Sequence, residues 1–227
     1  MAQEITAQTH SDAKELRIKK LDRTVTDAEQ VPHLLDEAKL PFQAIDIVNW
    51  PAYPYRPQVA FRIAYTGNAI LIHYKVTEND VRAVATKDNG RVWEDACVEF
   101  FIAPEGDSNY YNFEFNCIGH LLIQGGVPSD RKPASDSVLN IVKRWASLGN
   151  NAIDEKPGAT TWELAAIIPY EAFFRHSIHS MQGKQARANF YKCGDHLKTP
   201  HFLSWSPIHL EKPMFHCPEY FGHLSFD

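Results

Sequence analysis

Apolar and polar residues alternate with period two along most of this chain. Residues 58–65 (QVAFRIAY) and 69–77 (AILIHYKVT) alternate on either side of Gly67-Asn68, which predicts a hairpin. Further strands are predicted over 95–103, 110–117, 121–124, 139–147, 160–168, 185–193, 202–206 and 220–226, and a first one over 14–21. One amphipathic helix is predicted early, over 27–39, with Thr26 or Asp27 as its N-cap and Pro41 ending it. Pro169 to Phe173 reads as a helical turn, and the polar, Pro- and Ser-containing stretch 125–140 as a long surface loop. About ten strands with little helix after residue 40 favour an all-β fold of two facing antiparallel sheets, each burying one face. On this reading a short strand and helix segment, residues 1–40, precedes a β-sandwich domain over 41–227.

Splitting the runs into their two faces sharpens the picture. Val98, Phe100 and Ile102 form one stripe, and Cys97, Glu99 and Phe101 the other. Tyr111, Phe113, Phe115 and Cys117 are apolar, whereas Tyr110, Asn112, Glu114 and Asn116 are polar. Ala186, Ala188 and Phe190 stand against Arg187, Asn189 and Tyr191. Three strands thus pair an apolar stripe with one of amides, carboxylates, an arginine and rings. Such groups suit sugar hydroxyls and the C–H face of a pyranose, although a solvated sheet face explains the same alternation. Glu99 is the sharpest member, because a carboxylate on an aromatic-flanked strand needs a polar partner, for which Arg187 is one candidate.

Composition narrows the classes. The 227 residues hold 44% hydrophobic and 22% charged side chains with a net charge of -5, an ordinary globular balance that disfavours a nucleic-acid partner. Aromatic residues reach 12% and prolines number 14, in keeping with a turn-rich β fold. No run approaches the roughly 18 apolar residues of a membrane span, and the chain as given carries no export signal. The four cysteines lack CxxC spacing, and HExxH and GxSxG are missing. Met214 and His216 would share one strand face, which does not suit axial ligands on the two sides of a haem.

The runs VWEDACVEFFIAP, YYNFEFNCIG, WELAAIIPYEAF, ARANFYKCG, FLSWSPI and FHCPEYFGHLSF follow one another in an order that resembles carbohydrate-binding modules of family 9 and their DOMON-like relatives. The resemblance spans roughly Pro41 to Phe226. It implies a DOMON-like or immunoglobulin-like sandwich, a carbohydrate ligand such as a glucan or xylan, and service to a partner enzyme. It also implies a non-catalytic role, with no essential cofactor beyond a structural calcium ion, for which the loop 105–109 (EGDSN) offers oxygen ligands. By position it casts Trp93 as a stacking ring, Glu99 as the hydroxyl-binding carboxylate, Asn112 or Glu114 as its neighbour on the next strand, and Asn189 as the later amide. The family's second tryptophan is replaced by Lys192-Cys193, and Trp205 is the substitute on offer. Two rival readings stay open: a sandwich that kept the fold for a structural or interaction role, and a glycoside hydrolase using Glu99 and Glu114 as its carboxyl pair.

Overall fold

A computed structural model describes residues 12–104 and 108–227. The chain runs through β1 (Glu15–Lys20), α1 (Val31–Glu37), β2 (Gln43–Ala44), β3 (Ile47–Val48), β4 (Gln58–Tyr65), β5 (Ala69–Ala83), β6 (Cys97–Pro104) and β7 (Tyr110–Asn116). It continues through β8 (Leu121–Val127), β9 (Asp130–Pro133), α2 (Asp136–Ile141), β10 (Lys143–Ala146), β11 (Ile153–Pro169), β12 (Gln185–Cys193), β13 (Phe202–Ser204) and β14 (Gly222–Phe226). Among the described residues, no helix is long and apolar enough to cross a membrane.

The strands form one continuous sheet in the order β10-β11-β5-β4-β1-β14-β12-β6-β7-β8-β9. The sequence pattern predicts two facing antiparallel sheets. Instead, β1 joins the halves by pairing parallel to β14 through residues 15–18 and parallel to β4 through residues 19–20. The segment before residue 41 therefore supplies a central strand. The sheet curls so that its halves meet across one core: Phe61 of β4 stacks on Phe190 of β12 at 3.6 Å, and Trp205 stands edge-on to both rings. Gly222 lets Trp205 lie this close, since a Cβ there would come within 2.6 Å of the indole. The apolar stripes Val98-Phe100-Ile102 and Tyr111-Phe113-Phe115 face this core as the alternation requires.

Helix α1 follows a 3-10 turn whose N-cap, Asp27, accepts from the Glu29 amide at 3.0 Å, and it covers the outer face of β4, β5 and β11 through Val31 and Leu35. The stretch 125–140 is not a loop. It extends β8, turns at Pro128-Ser129 into β9, and forms α2, because Gly125 and Gly126 continue the pairing with Tyr111 and Tyr110.

Lys192, which stands where a second tryptophan was sought, points into the core and closes the two halves together. Its Nζ lies 2.9 Å from Glu78 Oε2 of β5, both side chains being fully buried, and Trp162 Nε1 donates to Glu78 Oε1 at 2.7 Å. Lys192 also donates to His201 Nε2 at 2.9 Å, while His201 Nδ1 donates to the Thr199 carbonyl, so the imidazole is neutral. Burial and the Lys192 charge push the His201 pKa down to about 3. Removing one partner strands the other charge in the core. Glu78→Ala is expected to cost about 3–5 kcal/mol in urea unfolding, whereas Glu78→Leu combined with Lys192→Met recovers most of that loss.

Candidate functional site

The second stripe of β6, β7 and β12 is also buried, but beneath irregular chain rather than sheet. Residues 202–221 lie over it, carrying Phe202, Ile208, Phe215, Tyr220 and Phe221 onto Phe101, Tyr110 and Tyr191. Asn49 and Trp50 pin this cover: Asn49 bonds Ser204 Oγ and the Ile208 amide, and Trp50 Nε1 donates to the Leu210 carbonyl at 2.8 Å. The cover stops short of Glu99, leaving an open cavity of about 280 Å³.

Glu99 and Glu114 sit directly opposite one another on β6 and β7, side by side on its floor. Glu99 is 2% and Glu114 4% exposed. Glu99 Oε1 accepts from Cys193 Sγ at 3.1 Å, and Glu114 Oε1 accepts from Asn112 Nδ2 at 2.7 Å. Among the described residues, the second oxygen of each carboxyl group has no hydrogen-bond partner. Burial, reinforced by Cys193 and by the neighbouring Glu114, raises the pKa of Glu99 well above the carboxylate range. Burial also pushes Glu114 up to about 7, against the opposing pull of Asn112 and Arg131, and Asp195 at the rim up to about 6.

Arg131 of β9 holds this arrangement from behind. Its guanidinium lies 3.7 Å over the Tyr110 ring and donates to Asn112 Oδ1 and to the Tyr110, Gly126 and Gln124 carbonyls. Because Oδ1 of Asn112 is taken by a donor, its Nδ2 is the atom turned to Glu114. The amide thus passes the orientation of Arg131 to the carboxylate.

Trp93 forms one wall. It lies in a 3-10 turn just ahead of β6, half-buried against Val92, Cys97, Leu122 and Cys193, and Arg91 approaches its ring to 5.8 Å. Phe215 lines the cavity as well, stacked on Tyr191 at 4.0 Å with an interplanar angle of 4° and flanked by the half-exposed Met214.

Among the residues proposed from sequence, Trp93, Glu99 and Glu114 line the cavity, and Asn112 stands directly behind it. Three others fall elsewhere. Trp205 is a core ring on the opposite face of the sheet. Asn189 is opposite Phe101, with its amide bonded to the Ser206 backbone N and O at 2.9 and 3.0 Å, so it anchors the cover. Arg187 is opposite Ala103, four residues along from Glu99, and donates to the Pro218 carbonyl at 3.0 Å, so the expected Glu99–Arg187 pair does not form. The cation near the carboxylates is Arg131, hidden to sequence reasoning inside the supposed loop. Its signal was the Val127–Asp130 reversal at Pro128-Ser129 between two extended runs. Phe215 and Met214 carried no period to find them by. Residues 105–107 of the proposed calcium loop lie outside the described residues.

A sheet floor bearing two hydrogen-bond-hungry carboxyl groups, walled by an indole and a phenyl ring, defines a ligand-binding β protein with a small polyol-sized pocket. The chain belongs to carbohydrate-binding family 9, whose model matches residues 29–226. It is 59% identical to a candidate carbohydrate-binding protein from Bacteroides uniformis ATCC 8492, with 95% of this chain and 100% of that one covered and a TM-score of 0.93. Two structures of a family 9 module from Caldicellulosiruptor kristjanssonii, in complex with glucose and with cellotriose, share the fold at 12% and 13% identity. They superpose with TM-scores of 0.63 and 0.61, covering 94% of this chain and 96% and 93% of theirs. No curated protein matches the chain.

The raised pKa of Glu114 has a thermodynamic consequence. Between its ordinary 4.5 and about 7 the folded chain holds a proton that the unfolded chain has released, so its contribution to stability is full below that window and lost as pH rises through it. Glu114→Gln keeps the acceptor for Asn112 and cannot ionise. Relative to wild type it should gain about 3 kcal/mol between about pH 4 and about pH 8, read by denaturant melts at both ends.

Proposed function

We propose that this carbohydrate-binding module holds a single sugar unit of the glucose type, at a chain end or free, in the cavity between Trp93 and Phe215. The observation that carries the reading is the pair of unpartnered buried oxygens on Glu99 and Glu114. A buried acceptor without a donor costs about 1–3 kcal/mol, and adjacent sugar hydroxyls are donors spaced to satisfy two such oxygens at once. The volume of about 280 Å³ suits one ring rather than an extended chain, and the flanking aromatic walls suit its C–H faces. The glucose and cellotriose complexes of the Caldicellulosiruptor module support the same ligand class.

Binding without catalysis is part of this reading. Glycoside hydrolysis places its two carboxyl groups across the scissile bond, whereas Glu99 and Glu114 rise together from one face of one sheet. The finer architecture, two facing layers of the immunoglobulin-like kind, also belongs here, supported by the shared core between the two halves of the curled sheet. Because hydroxyl donation favours the ionised carboxylate, sugar binding expels a proton from Glu114 and strengthens as pH rises through about 7.

Calorimetry with glucose, cellobiose and xylobiose tests the reading. A dissociation constant in the micromolar range or weaker is expected for a shallow site. Trp93→Ala should weaken it roughly 5- to 10-fold, matching about 1 kcal/mol of stacking, and Glu99→Gln by at least as much. Undiminished binding by both variants, or no heat with any sugar, contradicts it; reducing sugar released by wild type but not by Glu99→Gln would make the protein a hydrolase.

A further inference from the structure

Two thiols take no part in sugar recognition: Cys193, which lines the cavity, and Cys97, which stands beside it on the next strand. Cys97 and Cys193 are direct cross-strand partners on β6 and β12, on the same face as Glu99, which lies two residues along β6. The two sulfurs and a Glu99 carboxyl oxygen lie within 4.8 Å of one another. A tetrahedral ion at about 2.3 Å from each sulfur sets them about 3.8 Å apart and accepts a carboxylate oxygen at about 2.0–2.2 Å, so small side-chain adjustments suffice.

We infer that Cys97, Cys193 and Glu99 form a binding site for a thiophilic divalent cation, zinc above all, with its fourth position open to the cavity. Two thiolates and one carboxylate are a soft, anionic donor set that favours zinc over calcium or magnesium. The present partners of the thiols are displaceable: Cys97 Sγ reaches the Val98 carbonyl at 3.7 Å, and Cys193 Sγ reaches the Trp93 carbonyl at 3.5 Å and Glu99 at 3.1 Å. Glu99 keeps a buried oxygen with no partner, which an ion would satisfy. Glu99 and Cys193 both line the cavity, which gives the ion an entry path and leaves room for a water molecule to complete its coordination. Binding displaces three protons, one from each thiol and the one that burial keeps on the Glu99 carboxyl group, and changes no oxidation state. Three donors and one open position are the arrangement of a reactive zinc centre rather than a closed structural one. Cys117 and Cys217 are also buried, in the main core and within the 202–221 cover respectively, and are not part of this donor set.

The site shares Glu99 with the proposed sugar floor but rests on the two thiols, and its test reads metal. Reduced full-length protein, stripped of metal, is titrated with zinc against a chromophoric chelator and separately with cobalt. One equivalent per chain is expected, with a thiolate-to-cobalt charge-transfer band and protection of Cys97 and Cys193 from alkylation. Cys97→Ser, Cys193→Ser and Glu99→Gln should each weaken zinc by roughly 100-fold or more, beyond what losses in outer shells produce, while Cys217→Ser leaves it unchanged. Melting curves identify any variant that fails to fold, and alkylation protection in the wild type then decides. Stoichiometry well below one, zinc binding unaffected by the folded variants, or a Cys97–Cys193 disulfide found by mass in protein purified under reducing conditions would overturn it. Loss of zinc with sugar binding intact supports the metal site alone, and the absence of sugar binding leaves the zinc result standing.

Discussion

Strands β6, β7 and β12 are covered on both faces, and most of what is distinctive in this protein follows from that. One face meets the other half of the curled sheet through Phe100, Phe113 and Phe190. The other lies under residues 202–221. A carboxylate on either face is therefore desolvated and must find donors or take up a proton. Glu78, which enters the same core from β5, finds Lys192 and Trp162. Glu99 and Glu114 find only partial company, Cys193 for one and an amide steered by Arg131 for the other. Both carboxyl groups line the cavity that the cover leaves open.

Lys192 and Cys193 tie these two faces together. As neighbours on a strand they point in opposite directions. The lysine enters the ion pair that joins β12 to β5, and the cysteine enters the floor of the site. The dipeptide that seemed to interrupt a binding motif contributes to both core and pocket. The aromatic side chain nearest that position is Phe215, which stacks on Tyr191 from the irregular chain between β13 and β14, both of them paired with β12.

How much of this was legible in the sequence depended on period. Alternation located the hairpin 58–77, the strands carrying Glu99, Glu114 and Asn189, and the division of each into a core stripe and a second stripe, because a strand buried on one side by rings must repeat every two residues. Trp93, Glu99 and Glu114 followed from that division together with the family resemblance. The misses share a cause. Arg131 sits on a four-residue strand rich in charge, where edge exposure erases the pattern. Trp205 lies just past the end of β13, and its amide bonds the Phe190 carbonyl, which turns the indole into the core. Arg187 was assigned to Glu99 from a shared stripe, but register sets them four residues apart. Phe215 and Met214 lie in irregular chain whose placement is fixed by Asn49, Trp50 and Tyr191 from distant parts of the sequence.

The central claim is that a sugar ring lies on the Glu99–Glu114 floor between Trp93 and Phe215. A crystal structure of the wild-type protein grown with glucose or cellobiose examines it most directly. The expected result is one sugar ring in that cavity, with adjacent hydroxyls within hydrogen-bond distance of Glu99 Oε2 and Glu114 Oε2 and a ring face against Trp93. A sugar bound elsewhere, such as the open groove lined by Trp145 and Asn140, with the Glu99 cavity holding only water, would contradict it.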